Sequence, residues 1–257
     1  MIHSLLIAFS LYSVLPMPRA EWTPKNMRYA MCFLPLVGLV IGGLEALWLF
    51  LGELWGLGPV LRGAAAALLP AAVSGGIHLD GLCDTCDALG SHQPREKKLA
   101  ILKDSHTGAF AVIGLAVYLL ALTGVLSELR WSPRVGMLLA FCFPLSRILG
   151  SLLLLLLPCA REDGLARTFS DAAERRCTVI LAVLGVLLLA GATVLSPVCG
   201  LVMAAALVLL FFALRRKFRR EFGGVTGDLA GFSIVLGELA LAVVLIVLQK
   251  IPGGLLV

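Results

Sequence analysis

Long uninterrupted apolar runs, not strand-length alternation, set the pattern of this chain, and runs of that length are helices in a bilayer rather than barrel strands. They cover residues 2–15, 29–54, 59–73, 109–126, 135–157, 178–195, 198–214 and 232–248. The first is short against the roughly 20 residues that a span needs, so it is expected to tilt or re-enter. Pro16 and Pro18 end it. The second holds Pro35 and the pair Gly42-Gly43, which favour a kink or a close helix contact, and Glu45 lies inside it. Residues 59–73 are Ala-rich and run directly into an acidic stretch. Arg130 to Pro133 and Ser196-Pro197 mark short turns. Eight segments satisfy the alternation of loops; seven do if the first does not span. The expected fold is therefore all-α: one polytopic helical membrane domain over residues 1–257, with about seven or eight membrane segments.

Composition agrees. Hydrophobic residues make up 60% of the 257 and charged residues 14%, where a soluble domain carries about 25% charged. Mean hydropathy is +0.98. The net charge of +5 is modest and confined to a few loops, so no nucleic-acid partner is expected. The start M-I-H-S-L-L has no basic region and Pro16-Met17-Pro18-Arg19 is no small-residue cleavage site, so no cleavable signal peptide is expected. Most of the 21 Lys and Arg fall in loops 16–28, 75–107, 158–177 and 215–231, while the alternate loops and C-terminal end hold only Arg62, Arg130, Arg134 and Lys250. By the positive-inside rule the first set of loops is expected in the cytoplasm.

That face also carries the chemistry. The stretch from Ser74 to Gly108 contains Asp80, Asp84, Asp87, Glu96 and Asp104. On a helix, Asp80, Asp84 and Asp87 lie within roughly one sixth of the circumference, where three anions repel. A compensating cation is expected, and hard carboxylate oxygens suit Mg²⁺, Mn²⁺ or Ca²⁺. A solvated acidic face is the plainer alternative. Cys83 and Cys86 form a C-x-x-C that suggests a redox pair or, with His78, His92 and His106, half a zinc site. Against this, His78 falls nearly opposite the aspartate stripe and no second C-x-x-C completes a closed site. Asp228 closes G-G-V-T-G-D, whose Gly223, Gly224 and Gly227 free the backbone to approach a ligand. Arg161, Glu162 and Asp163 form a third charged cluster on the same face. Arg215, Arg216, Lys217, Arg219 and Arg220 suit a polyphosphate, but lipid head groups and topology explain them equally well. Arg147 lies inside a span and either neutralises a substrate phosphate or pairs with Glu45 or Glu238. Together these groups point to metal-assisted phosphoryl or nucleotidyl-ester transfer at a membrane face.

With these residues assembled, the chain resembles the cobalamin synthase (adenosylcobinamide-GDP ribazoletransferase) family. The matches are G-G-I-H-L-D-G-L-C-D-T-C-D (75–87), L-K-D-S (102–105) with Gly108, A-R-E-D-G-L (160–165) and G-G-V-T-G-D (223–228). Weaker ones are L-P-M-P-R (15–19), L-P-L-V-G (34–38), Ser146-Arg147 and L-G-E-L (236–239). Cys83, Cys86 and Ala88 stand where the family has alanine or glycine, and His106 where an arginine commonly follows D-S. The resemblance implies a Mg²⁺-dependent enzyme of the bacterial cytoplasmic membrane with its active-site loops in the cytoplasm. It would transfer the adenosylcobinamide-phosphate group from adenosylcobinamide-GDP to α-ribazole or α-ribazole 5′-phosphate, releasing GMP. Carried over residue by residue, Asp80, Asp84, Asp87 and Asp104 are the expected catalytic and metal positions, and Asp228 a further metal position. His78, Lys103, Ser105, Arg147, Arg161, Gly223, Gly224, Thr226 and Gly227 are the expected substrate contacts, with membrane lipid as the surrounding partner. Two rivals remain open. A CDP-alcohol phosphotransferase would need a D-x-x-D-G-x-x-A-R pattern that is missing here, and a transporter would place its acids near the midplane.

Overall fold

The computed structural model describes residues 1–173 and 175–251, without the side chains of residues 165 and 166. Leu165, the last residue of the A-R-E-D-G-L motif, is therefore placed by its backbone alone. Among the described residues the chain forms twelve helices. These are α1 (Ile2–Tyr12), α2 (Pro24–Met27), α3 (Ala30–Leu54), α4 (Pro59–Ser74), α5 (Ile77–Gly90) and α6 (Arg95–Ile101). They continue with α7 (Ala109–Glu128), α8 (Pro133–Leu156), α9 (Leu165–Ala172), α10 (Arg176–Leu195), α11 (Pro197–Glu221) and α12 (Gly227–Lys250).

Six helices are long and apolar enough to cross a membrane: α3, α7, α8, α10, α11 and α12. The pair α4 and α5 passes the same test together but bends by 100°, making seven if it counts as one broken span. The bend has a local cause. Gly75 and Gly76 both adopt left-handed backbone, with φ of 66° and 79°, which side-chain-bearing residues rarely adopt. Helix α1 has 11 residues, about 16 Å at 1.5 Å each, well short of a hydrocarbon core of roughly 30 Å. The short first run is thus a partial segment. Of its eleven residues Ser4, Ile7 and Ala8 are buried, and its Tyr12 ring lies 5.9 Å from that of His78.

Helices α8 and α12 form the centre. Most of the apolar length of α8 is buried within the protein, whereas α10 and α11 are largely exposed and lie at the periphery. Small residues set the closest approach. A Cβ on Gly38 of α3 would sit 2.7 Å from the Phe143 carbonyl oxygen, and one on Gly42 would clash with the Ala140 backbone, so α3 packs directly on α8. Helix starts are capped by side chains: Ser132 accepts from Val135 N, Ser196 from Cys199 N and Thr226 from Leu229 N. Inside the bundle Arg147 is fully buried and ion-paired with Glu238, which also accepts from the Tyr118 hydroxyl at 3.1 Å. The pair satisfies a charge that hydrocarbon would penalise heavily.

Polar contacts divide the molecule into two ends. At one end Lys98 pairs with Glu221, Lys103 with Asp163 at 2.6 Å and Arg161 with Asp228 at 3.0 Å. At the other, Lys250 pairs with Glu128 at 2.7 Å, and Gln249 bonds to the Arg130 carbonyl at 2.9 Å. The acidic stretch and the two motif loops share the first end.

Candidate functional site

Three segments converge at that end. Helix α5 leaves the Gly75-Gly76 bend and presents its aspartates along one side. Gly81 on α5 lets α12 approach so closely that a Cβ there would lie 2.6 Å from the Asp228 carbonyl oxygen. The loop 222–228 in turn pairs with the segment after α8: Val225 N donates to the Pro158 carbonyl at 2.9 Å and Ala160 N to the Val225 carbonyl at 2.8 Å. Gly224 is required for that pairing, since a Cβ would collide with the Pro158 carbonyl. The pairing aims Arg161 at Asp228, whose Oδ2 accepts from Nη2 at 3.0 Å, while the same nitrogen reaches the Leu102 carbonyl at 3.3 Å. Sequence neighbours of four separate motifs thereby meet.

The result is a cleft of about 260 Å³. His78, Asp80, Arg161, Asp163, Thr226, Gly227 and Asp228 line its polar side, and Met31, Leu34, Leu154 and Ile234 contribute apolar wall. Few polar groups on an otherwise apolar concavity is the usual composition of a small-molecule site.

The aspartates are not equivalent. Asp87 is engaged by backbone: its two oxygens accept from Gly108 N at 2.6 Å and Ala111 N at 2.8 Å, capping α7. Asp104 accepts from His106 N at 3.0 Å and contacts the His106 ring at 2.6 Å. That ring contact holds the exposed Asp104 carboxyl below the usual carboxylate range and raises the His106 imidazole. Asp163 is likewise lowered by its hydrogen bond from Lys103. Asp228 is shared between Arg161 and the Thr226 hydroxyl, at 3.2 Å from the latter. Only Asp80, exposed, and Asp84, half-buried, have no hydrogen-bond or ion-pair partner among the described residues, and Asp84 lies within electrostatic reach of Asp80, Asp228, Asp87 and Arg161.

No group of three or more His, Cys, Asp or Glu side chains among the described residues is close enough to form a ready-made metal cage. The donor set nevertheless fits Mg²⁺. That ion typically takes one or two carboxylates and completes its shell with water and substrate phosphate, and Asp80 and Asp84 supply unpartnered hard oxygens.

The remaining expected contacts fall into place unevenly. Lys103 and Ser105 are exposed and not part of the cleft wall, though Lys103 is tied to Asp163, which is. Gly223 adopts φ 74° against the Arg95 guanidinium, and Thr226 caps α12. Arg147 takes the ion-pair alternative: it lies beneath the site with Glu238 and faces a much smaller cavity behind His78. Cys83 and Cys86 are free thiols, and Cys86 packs its sulfur against Gly114 of α7. Arg167 and Phe169, from the loop R-E-D-G-L-A-R-T-F (161–169) expected on this face, also line the cleft. Sequence reasoning did not single out Tyr12, which lines it from the end of α1, a short segment whose motif lies further on.

Fold and site together define an all-helical polytopic membrane protein with an acidic, arginine-bearing cleft at one end. Comparison with known proteins then narrows the class. The profile of the Cobalamin-5-phosphate synthase family matches residues 4–246, and the chain belongs to that family. It is 39% identical over 251 residues to an adenosylcobinamide-GDP ribazoletransferase of Lachnoclostridium phytofermentans, covering 97% of this chain and 95% of that one. The enzyme of the same name from Desulfitobacterium hafniense is 38% identical over 243 residues, covering 92% and 94%. That from Shigella boydii is 33% identical over 238 residues, covering 90% and 94%. No solved structure matches.

Proposed function

We propose that this chain is a Mg²⁺-dependent adenosylcobinamide-GDP ribazoletransferase of the bacterial cytoplasmic membrane, with the cleft opening to the cytoplasm. The observation that carries the reading is the meeting of Asp80, Arg161 and Asp228, from three separate motifs, in one cleft at the end of the bundle where the basic loops gather. In this reading the pyrophosphate of adenosylcobinamide-GDP lies across the Arg161 guanidinium, whose fork suits phosphate oxygens. Apolar wall from α3, α8 and α12 excludes water, so that the α-ribazole acceptor and not solvent is the nucleophile. An acceptor hydroxyl oxygen attacks the phosphorus on the corrinoid side. The phosphorus–oxygen bond to GMP breaks, GMP leaves, and the hydroxyl proton passes to an unpartnered carboxylate, Asp80 or Asp84. Mg²⁺, which one of Asp80 and Asp84 would hold together with Asp228 while the other carboxylate takes the proton, would supply neutralisation of the charge developing on the leaving phosphate. Release of Asp228 from Arg161 as the pyrophosphate arrives frees both groups for these roles.

The test is release of GMP from adenosylcobinamide-GDP by the purified chain in lipid vesicles. GMP is expected only with acceptor and divalent metal present, together with an equimolar cobalamin-type product. Release that proceeds without acceptor, or in excess chelator, contradicts the reading.

A further inference from the structure

The peripheral helix α11 carries a feature that the transferase chemistry does not use. Its buried side, with Cys199, Met203, Leu214 and Phe218, packs inward. The opposite side is exposed and changes character along its length. Leu201, Val208, Leu209 and Phe212 are 65%, 55%, 71% and 57% exposed, forming a continuous apolar stripe at helical spacing. One turn further on, the same stripe becomes Arg215, Arg216, Arg219 and Arg220, which with Phe212 line a shallow groove. The two i,i+4 rows place four guanidinium groups around one concavity. The acid nearby in sequence, Glu221, is paired with Lys98 and stands 3.6 Å from Arg220. Arg215, Arg216 and Arg219 have no hydrogen-bond or ion-pair partner among the described residues.

We propose that this groove is a seat for one anionic phospholipid, with the phosphate held by the arginines and the acyl chains lying along the apolar stripe above them. The continuity of the two surfaces argues for a lipid over a soluble phosphate. A free phosphate would use the arginines and leave the stripe irrelevant, whereas a phospholipid fits both in register. Cations at a helix C-terminus also favour the helix dipole, and basic loops orient a membrane protein. Neither effect requires four arginines on one face, and guanidinium forks are suited to bidentate phosphate binding.

Native mass spectrometry of the purified full-length chain in detergent tests this, with phosphatidylglycerol, phosphatidylcholine or inorganic pyrophosphate added at matched concentration. Retention of phosphatidylglycerol alone is expected. The variant R215Q/R216Q/R219Q/R220Q should lose that retention by roughly tenfold or more, given the usual contribution of each basic side chain at an anionic surface. R216Q/R220Q should lose part of it, and Lys97→Gln, a charge removed from an exposed position on α6, none. If the quadruple variant does not fold, the double variant decides. Unchanged phosphatidylglycerol retention in the arginine variants overturns the proposal, as does pyrophosphate bound in place of lipid or an equal loss in Lys97→Gln.

Discussion

Asp84 and Asp87 sit three residues apart on one side of α5, yet they do different things, and the difference comes from what lies across from them. Asp87 faces the start of α7 and caps it, whereas Asp84 faces other charges without a bonding partner. Asp87→Ala should therefore destabilise the fold by about 1 kcal/mol, a drop of a few degrees in Tm, while Asp84→Ala should not lower Tm. Thermal melting of the purified variants in the absence of metal checks this; equal melting would mean the cap carries no weight. The buried charges make a second contrast. Arg147 spends its charge on Glu238, while neither carboxylate oxygen of the buried Glu45 has a hydrogen bond. Glu238→Gln should lower stability by several kcal/mol, as when one partner of a buried pair is removed, and Glu45→Gln should be neutral or stabilising. Denaturation midpoints that fall equally in both would contradict the pairing. Sequence spacing set Asp80, Asp84 and Asp87 on one stripe, but an N-cap bond to residues 108 and 111 depends on how α7 returns. Glu45 and Glu238 were likewise indistinguishable as partners, because depth in a span does not tell which helices face each other.

At the scale of elements, the long helices were legible because hydrocarbon demands about 20 apolar residues at a stretch. The short α2, α6 and α9 were not, because four to eight residues of mixed polarity carry too little periodicity to stand out. The 100° break between α4 and α5 left a clue in Gly75-Gly76, but its direction depends on α12 packing against α5 through Gly81. Close approach is the principle in each case. Gly42→Leu should push α3 away from the Ala140 backbone and cost 1–3 kcal/mol or more as overpacking, whereas Gly43→Leu, with open space at its Cβ, should be tolerated. Melting temperatures of the two variants decide; a Gly43→Leu variant as unstable as Gly42→Leu would mean the helices are not packed as described.

For the whole molecule, the four basic loops and the site motifs lie at one end, and the Lys250–Glu128 and Gln249–Arg130 contacts tie the other. Cysteines placed at exposed positions 92 and 164, with the native cysteines replaced by Ala or Ser, should react with an impermeant reagent only from the cytoplasmic side, and at position 130 only from outside. Labelling of position 92 from outside would separate the acidic stretch from the cytoplasm. The central claim is that α5 carries the metal-dependent chemistry through its two unpartnered carboxylates. It is tested most directly by GMP release as a function of Mg²⁺ concentration for purified wild-type protein, Asp80→Asn, Asp84→Asn and the exposed control Glu128→Gln, which sits in a surface pair with Lys250 at the opposite end. Asn keeps size and loses the charge a hard cation needs. Turnover should fall by about 10²-fold or more in the first two, with half-saturation displaced to higher Mg²⁺, and should be unchanged in the control. Wild-type rates and an unshifted Mg²⁺ dependence in both Asp80→Asn and Asp84→Asn would contradict it.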